Sequence, residues 1–124
     1  MDGAKGKLDK VFSAYIRRRD CRDGIGRCIS CGRPITFSTC DCGHYIPRAH
    51  TATRWNELNC AAQCRTCNRY EYGNSAGFAA GLIERYGPGV LDRLNASKHV
   101  CVKLTPGDYE RLINYYSKKW HEIK

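Results

Sequence analysis

The sequence predicts an α+β fold, with a small β-β-α centre at residues 21–74 between an N-terminal helix at residues 1–20 and further helices at residues 75–124. Three observations carry this. Apolar residues recur at helical spacing at both ends of the chain. The middle breaks into short pieces punctuated by Gly and Pro, and every cysteine except Cys101 falls within it. A length of 124 residues suits one domain with a modest core.

Leu8, Val11, Phe12, Tyr15 and Ile16 share one helical face, with Lys7, Lys10 and Arg17 to Arg19 on or beyond the polar side. After "RDGIGR" the Gly and Pro spacing favours knuckles and hairpins over long helices. Within the centre, residues 41–47 read as one strand, residues 57–62 as a second that pairs back, and residues 63–72 as a helix. Phe78, Leu82 and Ile83 mark a helix over residues 75–86. "YGPGV" ends it before a short helix carrying Val90, Leu91 and Leu94. Thr105, Pro106 and Asp108 form a capping-box-like start for a last helix, whose stripe is Tyr109, Leu112, Ile113, Tyr116 and Trp120.

Lys and Arg number 21 against 12 Asp and Glu, a net charge of +9. That balance suits a polyanionic partner, nucleic acid first, although solubility alone also makes proteins basic. "MDGAKGKLDK" has no apolar core for a secretory signal, and no run approaches the ~20 apolar residues of a membrane span. A soluble intracellular protein is expected. In a reducing cytosol, nine cysteines, an odd number, argue for metal binding over a disulfide framework.

Cys28-x-x-Cys31 and Cys64-x-x-Cys67 let two thiolates of each pair reach one tetrahedral ion at ~2.3 Å, which predicts a closed structural zinc site. Gly32 eases the turn after the first pair. A redox C-x-x-C and four unligated thiols are the rival readings. The insert between the pairs is far longer than the ~15–20 residues of a simple zinc ribbon, so the two strands and the helix start are built inside it. Zinc would then pin the strand carrying His44 at a fixed distance from the helix carrying Asn68.

C-x-x-C, then Gly43-His44, then Asn59, then C-x-x-C followed at once by Asn68 is similar to the zinc-knuckle branch of the HNH, or ββα-metal, nucleases. The wider run "GHYIPR...TRWNELN..QC..CN....GN" resembles the phage NinG (Rap) recombination nuclease family over residues 27–86. The resemblance implies a general base at His44, an asparagine bracing the hairpin loop at Asn59, and a catalytic Mg²⁺ or Mn²⁺ held by Asn68. It also implies hydrolysis of phosphodiesters in branched or junction DNA, inside a bacterial host carrying a phage or prophage. The chemistry is consistent: an imidazole titrating near ~6.5 can accept a proton from water, and an amide oxygen is a hard ligand. Many such enzymes carry Asp just before the catalytic His. Here Gly43 takes that place, and Asp41, two positions earlier, is a tentative further ligand.

Arg48 and Arg54 flank the expected hairpin loop, and Arg65 and Arg69 surround Asn68, so all four are candidate phosphate contacts. Tyr70 and Tyr72 could stack on a splayed base or pack in the core. Cys40, Cys42 and His44 alternate onto one strand face with Cys60 across from them, which leaves open a second zinc. Cys21 and Cys101 read as small core residues, and His50 as a loop residue that is exposed or phosphate-facing. A non-enzymatic zinc-finger DNA-binding protein is the alternative, with a restriction-type or RNA-directed HNH nuclease as a third reading. Oligomeric state stays open, a homodimer included.

Overall fold

The computed structural model describes residues 3–123, so residues 1, 2 and 124 of the expected terminal segments lie outside the described residues. Helix α1 spans Gly3–Asp20 and buries Leu8, Phe12, Tyr15 and Ile16. Helix α5, Pro106–Glu122, opens with a formed capping box: Thr105 accepts from the Asp108 N–H and Asp108 accepts from the Thr105 N–H. Its apolar stripe covers α1, with the Phe12 and Tyr116 rings edge-on at 4.8 Å. The Tyr15 and Tyr116 hydroxyls donate to the two carboxylate oxygens of Glu57, at 2.9 and 3.3 Å, which ties this helix pair to the centre.

The centre holds two antiparallel two-stranded sheets. Strand β1, Ile25–Arg27, pairs with β2, Pro34–Thr36. Between them the Cys28 N–H donates to the Arg33 carbonyl and the Gly32 N–H to the Cys28 carbonyl, closing a knuckle in which Gly32 sits at φ +76°. Strand β3, Cys40–His44, pairs with β4, Cys60–Cys64, in the register Cys40 opposite Cys64 and His44 opposite Cys60. A short α2, Thr51–Arg54, lies in the loop joining them. A wide π-helical turn, Thr66–Tyr70, follows β4. Helix α3, Ser75–Tyr86, matches the expected bounds, and α4 spans Val90–Lys98.

These limits correct the expected centre. The first strand ends at His44 instead of residue 47, because the Ile46 N–H is taken by the Asn59 side chain. The second begins at Cys60 instead of residue 57. Residues 56–59 are a turn, in which the Asn59 N–H donates to the Asn56 carbonyl and the Leu58 N–H to the Asn56 side chain. Gln63 and Cys64 stay in the strand, so helical structure starts later and is shorter than residues 63–72.

Strand β4 is the junction of the core. Cys60 joins the cluster under α1 and α5, Ala61 the cluster of Phe78, Leu82, Val90 and Leu94, and Ala62 with Cys64 the cysteine-rich cluster. Small residues at successive positions let helices crowd both faces of one strand. Asp20, at the end of α1, reinforces the junction by accepting from the Ala62 N–H while Arg19 grips it at 2.8 and 3.1 Å. Cys21 is buried as expected. Cys101 is exposed instead, lying just past α4 where no element covers it. Tyr70 and Tyr72 are also exposed, and core packing is excluded for both. Among the described residues, no helix is long and apolar enough to cross a membrane.

Candidate functional site

Four sulfurs, those of Cys28, Cys31, Cys64 and Cys67, lie within 4.8 Å of one another. The knuckle supplies the first two; the end of β4 and the π turn supply the others. Fixed donors surround them. The Cys67 N–H points at the Cys64 sulfur, at 3.4 Å, and the Asn74 amide at the Cys67 sulfur, also at 3.4 Å. Burial disfavours a charged Cys28, yet backbone N–H groups of Cys64, Cys31 and Ser30 outweigh it and hold that thiol below its ordinary value. Burial and the neighbouring sulfurs push Cys67 up to about 12. Four sulfurs this close together could hold a divalent cation, and an all-cysteine donor set suits a zinc-like ion.

Beside this cluster a polar cleft of about 770 Å³ opens between α1, β3 and the π turn. His44, Asp41, Asn68, Arg48, Arg65 and Arg69 all line it. His44 is half-buried. Its Nε2 lies 3.0 Å from the Arg54 carbonyl oxygen. A carbonyl can only accept, so Nε2 carries the proton and Nδ1 holds the free lone pair. Burial, helped by the Arg48 charge, keeps the imidazole below its ordinary pKa, and the ring is neutral at pH 7.

Asn59 is fully buried behind the cleft. Its Oδ1 accepts from the Ile46 N–H at 2.8 Å, and its Nδ2 donates to the carbonyls of Ile46 and Thr53 at 3.0 and 3.1 Å. One amide thus closes both ends of the β3–β4 loop and fixes the segment whose Arg54 carbonyl orients His44. Asn68 donates from Nδ2 to Asp41 Oδ2 at 2.9 Å, while Arg69 clamps both Asp41 oxygens at 2.8 and 2.9 Å. Burial opposes the charge on Asp41, but these donors keep its carboxyl below the usual range. The remaining Asn68 oxygen, Oδ1, is the one left to accept.

Gly43 lies on the face of β3 opposite Cys42 and His44. A Cβ there would stand 2.3 Å from Gln63 Oε1 and 2.9 Å from the Phe78 ring. A side chain there would require Gln63 and Phe78 to move. Gly43→Ala is expected to cost about 1–3 kcal/mol through overpacking, read as a lowered denaturation midpoint with an unchanged slope.

The four candidate arginines separate into two kinds. Arg48, Arg65 and Arg69 are exposed at the cleft rim, whereas Arg54 is largely covered and paired through two nitrogens with Asp9, which also accepts from the Trp55 indole at 3.0 Å. Asp9 is a site residue that sequence reasoning missed. The signal available was a lone acid between Lys7 and Lys10 on α1, one step from the apolar face. His50 is partly covered where the β3–β4 loop enters α2. Cys40 leaves the set formed by Cys42, His44 and Cys60, because at the start of β3 its thiol packs against Cys21.

Fold and site together define a cysteine-rich α+β domain with a sulfur cluster that could hold a metal ion beside a basic, histidine-bearing cleft. The chain belongs to the NinG family: the family described as Bacteriophage Lambda NinG protein matches residues 3–124. It is 38% identical over 119 residues to the protein ninG of Escherichia phage lambda, covering 95% of this chain and 56% of that protein. The ninG protein of Salmonella phage P22 is 34% identical over the same shares. The chain thus spans about half the length of these relatives. A CRISPR-associated endonuclease Cas9 of Corynebacterium diphtheriae is 27% identical over 99 residues, 80% of this chain and 9% of that protein. No solved structure matches the chain.

Proposed function

We propose that this chain is a metal-dependent DNA endonuclease of the HNH, or ββα-metal, type, acting on branched DNA during phage recombination in the host cytoplasm. The observation that carries this reading is a neutral His44, its Nε2 proton fixed on the Arg54 carbonyl, in one basic cleft with an oriented Asn68 amide. Strands β3 and β4 with the π turn would form the ββα unit, and the four paired cysteines would hold a structural zinc that locks the turn to the strands. The partial likeness to an endonuclease, Cas9, supports the same class.

In this mechanism His44 Nδ1 takes a proton from a water aimed at the scissile phosphorus. Arg48, Arg65 and Arg69 hold the flanking phosphates. Asn68 Oδ1 would hold the catalytic Mg²⁺ or Mn²⁺, which supplies charge stabilisation for the phosphate and the leaving oxygen. Asp41 acts through Asn68: both its oxygens are already engaged by Arg69 and Asn68, so it orients the amide.

DNA affinity is expected to fall steeply with salt, and Arg48→Ala or Arg69→Ala to lower the magnitude of the log–log slope by about 1 each. A salt-insensitive affinity would contradict the electrostatic grip. Arg54→Ala is expected to differ by destabilising the fold, since it strands Asp9. Asn68→Ala tests the ion assignment: the Mg²⁺ concentration for half-maximal cleavage should rise, and Asp41→Ala should shift it in the same direction by a smaller factor. An unchanged Mg²⁺ response in Asn68→Ala would remove Asn68 from the role.

A further inference from the structure

Cys42, His44 and Cys60 form a second set of soft donors. Register explains the set: Cys42 and His44 share one face of β3, and Cys60 stands directly opposite His44 on β4. Their two sulfurs and a ring nitrogen of His44 all lie within 4.8 Å of one another, the same spacing as the four-cysteine cluster. Cys60 is fully buried, while Cys42 and His44 line the cleft. The Arg54 carbonyl holds the Nε2 proton of His44, the arrangement that commonly orients a metal-bound imidazole through its other nitrogen.

We propose that Cys42, His44 and Cys60 bind a thiophilic divalent ion, zinc or cadmium, with solvent from the cleft as the fourth ligand, at a site separate from the four-cysteine centre. Two thiolates and an imidazole select zinc-like ions and reject Mg²⁺, which takes oxygen donors. Binding displaces the thiol protons of Cys42 and Cys60 to solvent and engages the lone pair of His44 Nδ1. On the nuclease reading, on which this consequence rests, the ion therefore silences the enzyme by occupying its base. Mg²⁺ supports cleavage and excess zinc stops it.

The test counts zinc per chain with a chromophoric indicator, in wild type and in Cys42→Ser and Cys60→Ser, alongside Mg²⁺-driven cleavage of branched DNA at increasing zinc. Two zinc ions per wild-type chain and one in each folded variant are expected. Added zinc should lower wild-type cleavage by about 10²-fold at saturation, the scale of a lost general base. A chelator should restore it, and Cys42→Ser should resist the inhibition. A single zinc per wild-type chain, or a second one retained by both variants, would overturn the site. The stoichiometry decides this even if no DNA is cleaved, an outcome that would sink the nuclease reading alone.

Discussion

His44→Ala is expected to lower divalent-ion-dependent cleavage of DNA by roughly 10²-fold or more, with DNA affinity and the zinc of the four paired cysteines retained. The side chain is half-buried and contributes no ligand to that centre, so its loss removes a proton acceptor and one hydrogen bond to the Arg54 carbonyl while leaving the four cysteines intact. The accompanying pH profile is fixed in sign. Burial lowers the imidazole pKa, so the neutral, active form persists below the ordinary ~6.5, and activity should fall only as the pH drops through that depressed value. If the variant instead loses the four-cysteine zinc and unfolds, His44 is a structural residue and the assignment of the base is wrong.

Loss of the zinc proposed for the four paired cysteines is expected to be the most damaging single change to the fold. The cysteines bring the knuckle between β1 and β2 together with the end of β4 and the π turn. Structural zinc sites carry apparent binding energies of about 10–16 kcal/mol, comparable with the whole stability of about 5–15 kcal/mol of a domain. Cys64→Ser should therefore abolish the cooperative unfolding transition of the centre, and a strong chelator should do the same to the wild type. Cys64 is the severest choice because it ends β4 opposite Cys40, lies 3.8 Å from the Cys31 sulfur and accepts the Cys67 N–H. A metal-free wild type with an unchanged thermal midpoint would contradict this.

The terminal helices and the four-cysteine cluster were legible because their signals are local: helical periodicity, a capping box, and two cysteine pairs whose spacing suits ligation of one ion. Strand limits were less so. They depend on side chains reaching across the fold, as when the Asn59 amide takes the Ile46 N–H that would otherwise have extended β3. Charge partners were hidden for the same reason. Nothing in the sequence places Asp9 of α1 on Arg54, or Glu57 between Tyr15 and Tyr116, because those meetings exist only once α1 and α5 pack. Tyr72, at φ +50° just past the π turn, shows how a backbone turn can send an aromatic outward that composition alone would place inside.

The central claim is that this fold cleaves DNA, and the direct measurement is the fate of labelled four-way or flapped DNA incubated with the purified chain, carrying zinc at the four paired cysteines alone, and Mg²⁺ or Mn²⁺. Nicks near the branch point, lost when the divalent ion is withheld and lost again in His44→Ala, are the predicted result. An intact substrate with every divalent ion tried, bound by a correctly folded protein, would contradict the account and leave a zinc-containing DNA-binding protein in its place.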